Sequence, residues 1–295
     1  MLYVFGLASA CLLGIGFVLQ QHAAERAPKA DMLHFRLLWD LAHSGLWLAG
    51  IACMVGGQIL SAVALASGDL SQVEPLLVTN LLFAMAAARR LTGQRLGASG
   101  WVGVLLLSGG VAVFILAARP TGGSADVGAF RHWLVIGLVI GSALALIAVA
   151  RHLPLFDEPP LLAAAAGILY GLQDALTRVS TGILGDGGIS ALLVRWEPYT
   201  LVALAVTGLM LVQSAFEAGP LRMSLPTLTA AEPLAGIACG IGFLGDRLRT
   251  DPAALAGASA GLVAIVAGVF LLARHPAMPG HRTADGDERE NCSRP

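Results

Sequence analysis

Long apolar runs recur along this chain, and short polar connections separate them. A helix that spans the hydrocarbon core of a bilayer needs about 20 mostly apolar residues. Nine runs approach this length, at 2–21, 44–66, 72–88, 98–118, 132–150, 160–181, 198–216, 223–244 and 253–273. Polarity does not alternate within these runs, as it would in transmembrane β-strands. The pattern therefore predicts an all-α fold, a polytopic membrane helical bundle of about nine transmembrane helices.

The composition excludes the main classes of soluble protein. Hydrophobic residues make up 56% of the chain and charged residues 13%, and the mean hydropathy is +0.76. A soluble domain carries about 25% charged residues, so a soluble enzyme, a nucleic-acid-binding protein and a disordered chain are excluded. The formal net charge of −1 gives no electrostatic preference for nucleic acid. The lipid bilayer is the partner that this composition predicts.

Few residues favour a catalytic or metal centre. The sequence contains no phosphate-binding Gly-x-x-x-x-Gly-Lys loop, no His-Glu-x-x-His and no Cys-x-x-Cys. The four cysteines have no paired spacing, and three of them lie inside apolar runs, where we expect them to pack as small residues. We predict that the protein is not an enzyme, that it has no cofactor and that it has no metal site.

Lysine and arginine are distributed unevenly between the two sides that nine spans would create. The connections on one side, together with the C-terminal tail, carry more than twice as many of these residues as the connections on the other side. Positive residues concentrate on the cytoplasmic side of membrane proteins. We therefore expect the N-terminus outside and the C-terminus in the cytoplasm, in the plasma membrane. Only Lys29 among the 18 basic residues is lysine, and with abundant Ala, Gly and Arg this indicates a bacterium with a GC-rich genome.

Several landmarks recur in the same order in two parts of the chain. A glycine, a proline seven residues later and a Gly-x-Arg-Leu segment occur at Gly68, Pro75 and 93–96 and again at Gly219, Pro226 and 245–248. One span lies between the copies, so the second copy enters the membrane inverted, as in many secondary transporters. We divide the chain into an N-terminal four-helix repeat (1–120), a linker with a central transmembrane helix (121–159), an inverted C-terminal four-helix repeat (160–275) and a disordered cytoplasmic tail (276–295).

A carboxylate near the middle of one span is the first candidate for a functional group. An ionisable side chain at the bilayer centre costs about 2.5–3.5 kcal/mol on insertion scales and therefore needs a partner or a water-filled cavity. Glu232 lies 13 residues before Gly245, and Asn80 lies 13 residues before Gly93, so the repeat places them at equivalent positions. Thr229 shares the helix face of Glu232. A substrate or ion pathway and a structural hydrogen-bonding acid are both open interpretations of this face.

Four further polar residues within the runs each have two interpretations. Gln173 and Asp174 lie in the sixth run, and Asp174 can pair with Arg178 four residues later on the same helix face. Asp174 is therefore either a structural residue whose charge is neutralised by pairing, or part of the pathway. Gln58 and Gln213 can line the pathway or form hydrogen bonds between helices.

Other residues of interest lie at the ends of runs or bend them. Glu74, Glu217 and Gln20 lie near run ends, where water is expected to reach them, and Glu74 is also a pathway candidate. Proline bends a spanning helix and often occurs where a cavity is lined. We predict helix kinks at two matching helix starts and beside the central acid, at Pro75, Pro226 and Pro233.

One set of segments carries a resemblance to a known family. The segments are 13–21, 46–50, 68–75, 93–96, 196–199 and 224–246. Through them, nearly the whole chain to about residue 275 resembles the drug/metabolite transporter superfamily. Within that superfamily it is similar to the branch of the NIPA-type magnesium transporters. The sequence departs from the branch at Gln94, where the family has an acid, and at Gln20-Gln21-His22, where the family has lysines.

The resemblance implies a secondary carrier that moves a small solute or cation by alternating access through a midplane cavity. Its alternative implication is transport of magnesium or another divalent cation, for which Glu232 and Asp174 supply the minimum of carboxylate ligands. A non-transporting membrane scaffold or sensor subunit is a further interpretation. Assembly into a homo-oligomer is left open by the sequence.

Overall fold

The computed structural model describes residues 2–26, 35–66, 76–91, 97–118, 128–152 and 158–273. These residues are almost entirely helical, which confirms the predicted all-α class. In chain order the helices are α1 (Leu2–Ala24), α2 (Phe35–Ala42), α3 (Gly45–Ala66), α4 (Asn80–Leu91), α5 (Ala98–Ala118), α6 (Ala129–His152), α7 (Glu158–Val194), α8 (Glu197–Ala218), α9 (Leu221–Cys239) and α10 (Pro252–Ala273). The predicted tail (276–295) lies outside the described residues.

Among the described residues, six helices are long and apolar enough to cross a membrane. They are α1, α5, α6, α8, α9 together with the π-helical turn that follows it, and α10. Helices α3, α4 and α7 lie at the other three predicted runs. The apolar stretch of α3, Gly45–Ser61, is shorter, α4 has 12 residues, and α7 carries Asp174 and Arg178. The helical membrane architecture therefore agrees with the sequence, and the count of nine spans stays a prediction.

Small residues allow α1 to approach both α3 and α4 closely. A Cβ atom on Gly16 of α1 would lie 2.9 Å from the Gly50 carbonyl oxygen, and one on Gly57 would lie 3.2 Å from the Ser9 carbonyl oxygen, so α1 and α3 are antiparallel. A Cβ on Gly14 would lie 2.6 Å from the carbonyl oxygen at the start of α4. Backbones approach this closely only where glycine faces the partner.

Two further helix pairs pack through glycines, one within the second half of the chain and one between the halves. Gly167 and Gly171 of α7 lie against successive turns of α9, so these two helices run parallel. Helices α5 and α10 pack along most of their length and run antiparallel, because Gly103 faces Gly268 and Gly110 faces Gly261. The closeness of these backbones fixes the register of each helix pair.

The loops at one end of α9 are fixed by hydrogen bonds from α6. Helix α9 ends in a π-helical turn, Gly240–Leu244, which is followed by Gly245 in the left-handed conformation (φ 72°). Carbonyl groups at such an end lack helical donors. Arg131 donates to the Ile241 carbonyl (2.9 Å), and the His132 ring contacts the Phe243 carbonyl through Nε2 (3.0 Å). Helix α6 thereby holds the end of α9 in place.

Helix α10 begins at a capped turn. The Asp251 carboxylate accepts a hydrogen bond from the Ala254 backbone N–H at 2.8 Å, and Pro252 occupies the first helical position. This hydrogen bond, with a second from Arg249, lowers the pKa of the Asp251 carboxyl. Both features favour a helix start at this residue.

Candidate functional site

Glu232 lies in the middle of α9, with a proline directly after it. Helix α9 runs from Leu221 through Pro226 and Pro233 without interruption. Pro226 therefore lies inside the helix, five residues after its start, and the sequence-based placement of Pro226 at the helix start was wrong. The helix begins earlier because Pro220 precedes Leu221 and its extended backbone sets the boundary. Pro233 has no N–H to donate to the carbonyl four residues before it, which belongs to Thr229.

A second carboxylate, Asp174 of α7, faces the same part of α9. A Cβ atom on Gly236 would lie 3.9 Å from Asp174 Oδ2, which places this acid against the turn that follows Glu232. The Asp174 and Glu232 carboxyl groups interact electrostatically, and Glu232 also interacts electrostatically with the Tyr170 hydroxyl. Parallel packing of α7 on α9 thus turns two separately predicted acids into a carboxylate pair.

Both carboxylates lie at an accessible part of the contact between α7 and α9. Asp174 is exposed and Glu232 is partly exposed. Among the described residues, no arginine, lysine or histidine forms an ion pair with either acid. An accessible pair of acids without a cationic partner can bind a proton or a cation.

The expected pairing of Asp174 with Arg178 is replaced by another ion pair. The two guanidinium nitrogens of Arg178 donate to Asp246, Nη1 to Oδ2 at 2.6 Å and Nη2 to Oδ1 at 3.2 Å. The left-handed turn at Gly245 brings Asp246 back under α9, where its backbone N–H donates to the Gly240 carbonyl at 3.0 Å. Arg178 is therefore one helical turn from Asp174 but is directed to the end of α9.

The two predicted amide candidates near the acids are partly buried. Asn80 is the first residue of α4, and its side-chain oxygen is enclosed without a hydrogen-bond partner among the described residues. The side-chain oxygen of Gln173, next to Asp174, is enclosed in the same way. Thr229 is partly buried one turn before Glu232. Glu74 and Pro75 lie outside the described residues.

The two remaining glutamine candidates lie away from the acids. Gln213 of α8 donates to the Gln20 side-chain oxygen of α1 at 2.6 Å, which joins the two halves of the chain. Gln58 of α3 is exposed and lines a groove of about 410 Å³ together with Gln20 and Met54. This groove is formed by α1, α3 and α8, and neither Asp174 nor Glu232 lines it.

A cluster of buried polar residues at the other end of α9 was missed by the sequence analysis. Glu217 and Gln20 are not at water-accessible boundaries as expected, because Glu217 is 4% exposed and Gln20 1%. Arg222, at the start of α9, is 8% exposed. The signal that could have found the cluster is the spacing of Gln213 and Glu217, which share one face of α8.

One catalytic-looking motif is explained by its structural context. Residues 257–261 read Gly-Ala-Ser-Ala-Gly, which matches the Gly-x-Ser-x-Gly motif of hydrolases. That motif acts on a sharp turn between a strand and a helix. Here it lies inside the continuous helix α10, and Gly261 packs on α5. The segment therefore serves helix packing.

The comparisons with known proteins give a relative but no activity. The chain is similar to an uncharacterised protein of Corynebacterium glutamicum, with 28% identity over 279 residues that cover 94% of this chain and 96% of the relative. No family model matches the chain, and no solved structure matches it significantly. The similarity extends over both halves of the chain.

Proposed function

We propose that this protein is a secondary transporter of the drug/metabolite transporter type, in which Asp174 and Glu232 form the central binding site. The observation that carries this proposal is the accessible carboxylate pair between α7 and α9. A buried acid that serves only structure is normally satisfied by hydrogen bonds or by a cation. These two acids face the same contact between α7 and α9, and among the described residues neither forms an ion pair with a cation.

Helix packing supports the inverted repeat on which the proposal depends. Gly14 lies against Asn80 and Ala84 of α4, and Gly171 lies against the turn of α9 that contains Gly236. Since 152 residues separate both Asn80 from Glu232 and Ala84 from Gly236, the same part of each copy makes the close contact. This correspondence between the α1–α4 and α7–α9 contacts supports the repeat inferred from the sequence landmarks, of which the Gly-x-Arg-Leu segments have the same offset.

The contact between α5 and α10 supports the inversion itself. A Cβ atom on Gly103 would lie 3.1 Å from the Gly268 carbonyl oxygen, and a Cβ atom on Gly268 would lie 2.8 Å from the Gly103 carbonyl oxygen. Gly110 and Gly261 have the same reciprocal relation, at 2.8 Å in both directions. Close antiparallel packing of one helix from each half is the arrangement expected where two inverted repeats meet.

The carboxylate pair favours a cationic cargo, coupled to protons or exchanged for them. Two carboxylates that share a site do not ionise independently, since the charge of one opposes the charge of the other. A cation that enters the site replaces the proton that they share. A hydrated divalent cation is the second candidate, because magnesium is commonly held by one or two carboxylates and several waters. The described residues contain no group of three or more His, Cys, Asp or Glu side chains that could hold a metal ion.

Flux measurements on Glu232→Gln test the proposal. We expect this variant, reconstituted in vesicles, to lose cation-driven proton flux by at least about tenfold, which corresponds to about 1.4 kcal/mol of lost interaction. Asp40→Asn, at an exposed acid of the short helix α2, is the control and should transport as the wild type does. If the wild type and both variants move no cation or solute, the scaffold or sensor interpretation is supported and the proposal is wrong.

Thermal unfolding distinguishes a divalent cation from an organic one. A ligand at 100 times its dissociation constant stabilises the folded state by about 2.7 kcal/mol. Magnesium or manganese should therefore raise the Tm of the wild type but not that of Glu232→Gln if the cargo is a metal ion. A shift produced only by organic cations would favour the broader transporter class.

A further inference from the structure

Six polar side chains close one end of the helical bundle. They come from the end of α1, the end of α8 and the start of α9, and each is less than a tenth exposed: Gln20, Gln21, Gln213, Glu217, Arg222 and Ser224. We call this cluster the polar plug. The hydrogen bond from Gln213 to Gln20 and the edge-to-face contact of Phe17 with Phe216 join α1 to α8 within it.

The polar plug and the Arg178–Asp246 ion pair lie at opposite ends of α9. The helix and its π-helical turn span Leu221–Leu244, 24 residues or about 36 Å at about 1.5 Å per residue. Glu232 lies between these ends. Gly219 packs on Pro159 at the start of α7, so the start of α7 also lies at the plug.

Exposure along α7 shows from which end the carboxylate pair is reached. From Glu158 to Gln173 no side chain of α7 is exposed, whereas Asp174, Thr177 and Arg178 all are. These three residues share one helix face, and two of them carry charge. Lipid does not solvate such a face, so it faces water. The pair is therefore accessible from the Arg178 end and closed at the plug end.

The polar side chains of the plug are typical of a helix interface that can separate and become hydrated. Buried polar groups in a permanent interface are almost always hydrogen-bonded. Among the described residues, the side-chain oxygens of Gln213 and Ser224 are fully enclosed without a partner. Water would satisfy both if α1 moved away from α8 and α9, while an apolar seal would become less stable on exposure.

We propose that the polar plug is a closed gate: it seals the Asp174–Glu232 pair from the side at which α9 begins, and it becomes hydrated when the opposite end closes. The proposal rests on the proposed transport function. It assigns the gate to the contact between α1 of the first half and α8 of the second, so the two halves separate there when the access of the site is reversed.

Cysteine labelling in vesicles tests the gate without knowledge of the cargo. In a background with the four native cysteines replaced by alanine, Ser224→Cys and Ser108→Cys are treated with a small cationic methanethiosulfonate. Ser108 of α5 is a matched control, since it is also buried, also lacks a hydrogen-bond partner among the described residues and lies outside the plug. We expect slow labelling of Ser224→Cys, faster than that of Ser108→Cys and slower than that of the exposed Thr177→Cys.

Weakening the plug should accelerate this labelling. Gln213→Leu removes the bond to Gln20 and should raise the labelling rate of Ser224→Cys between about two- and tenfold, the range expected for one hydrogen bond. Ser142→Ala, which removes the hydroxyl of an exposed serine of α6 outside the plug, should leave the rate unchanged. Ser214→Cys, also fully buried at the end of α8, repeats the measurement if Ser224→Cys does not fold.

The outcomes separate the gate from the transport function. Suppose that the protein transports cargo but that Ser224→Cys and Ser214→Cys are labelled no faster than Ser108→Cys. This result would overturn the gate proposal and leave the proposed transport function standing. Labelling of Ser224→Cys as fast as that of Thr177→Cys would also overturn it, since the plug would then be open. Labelling that responds to Gln213→Leu in a protein that moves no cargo would support the gate and contradict the proposed function.

Discussion

The Arg178–Asp246 pair combines one buried and one half-exposed partner. The Asp246 side chain is 2% exposed and the Arg178 side chain 53%. Breaking a fully buried ion pair costs about 3–5 kcal/mol, because the remaining charge is left without a partner, and water reduces this cost when one partner is accessible. Arg178 therefore stabilises the end of α9, because it neutralises the charge of the buried Asp246 carboxylate.

Arg178→Met should lower the free energy of unfolding by about 1–3 kcal/mol. The double variant Arg178→Met/Asp246→Asn should lose less than the sum of the two single variants, since it leaves no buried carboxylate unpaired. Unfolding in mixed micelles of increasing denaturing detergent measures all three free energies. Strictly additive losses would show that the two side chains do not interact.

At the scale of single residues, the sequence predicted positions better than partners. The spacing to the Gly-x-Arg-Leu segments singled out Glu232 and Asn80, and each lies near a close helix contact. The pairing of Asp174 with Arg178 was wrong, because the rule for residues four apart considers only one helix. The left-handed turn at Gly245, which brings Asp246 to Arg178, depends on tertiary structure.

At the scale of helices, adjacent glycines in α5 have opposite environments. A Cβ atom on Gly110 would lie 2.8 Å from the Gly261 carbonyl oxygen and from the Ile265 backbone nitrogen, whereas one on Gly109 would meet no atom within 4 Å. The first glycine therefore permits contact with α10, and the second has no such role. Gly109 is therefore a matched control for a substitution at Gly110.

Gly110→Ala should destabilise the protein by about 1–3 kcal/mol, the usual cost of overpacking a tight contact. Gly109→Ala should be neutral or stabilising by up to about 1 kcal/mol, because alanine favours helix and nothing obstructs its methyl group. The detergent-unfolding assay used for Arg178→Met compares them directly. Equal effects of both substitutions would contradict the close packing of α5 on α10.

Helix positions were largely predictable, and helix ends were not. A described helix overlaps each of the nine apolar runs, since apolar length alone marks such segments. Helix α7 extends to Val194, past the predicted end at 181, and breaks only at Gly188 (φ 68°). Helix α9 begins two residues before its run and contains both of its prolines. At the start of α9, polarity does not mark the end, because Arg222 and Ser224 are buried by other parts of the structure.

At the scale of the whole molecule, the proposed repeat places different chemistry at equivalent positions. The first half places an amide, Asn80, where the second places the carboxylate of Glu232. The polar plug was not predicted as a cluster, because its six residues lie in three helices and the sequence interpreted them separately. Their burial follows from tertiary packing, including the contact of α1 with α8.

The orientation of the molecule sets which side of the membrane the open end of the site faces. The excess of arginine on one set of connections predicts a cytoplasmic C-terminus. With that orientation, α9 begins at the cytoplasmic side and the polar plug closes that side, while the face of Asp174, Thr177 and Arg178 opens outward.

A membrane-impermeant thiol reagent tests this orientation in intact cells. It should label Thr177→Cys, made in a variant without the native cysteines, and should not label a variant whose single cysteine is the native Cys292 of the tail. In inside-out vesicles Cys292 should become reactive, because its arginine-rich tail is retained on the cytoplasmic side. Labelling of Cys292 in intact cells would reverse the orientation, and the open face would then belong to the cytoplasm and the plug to the outside.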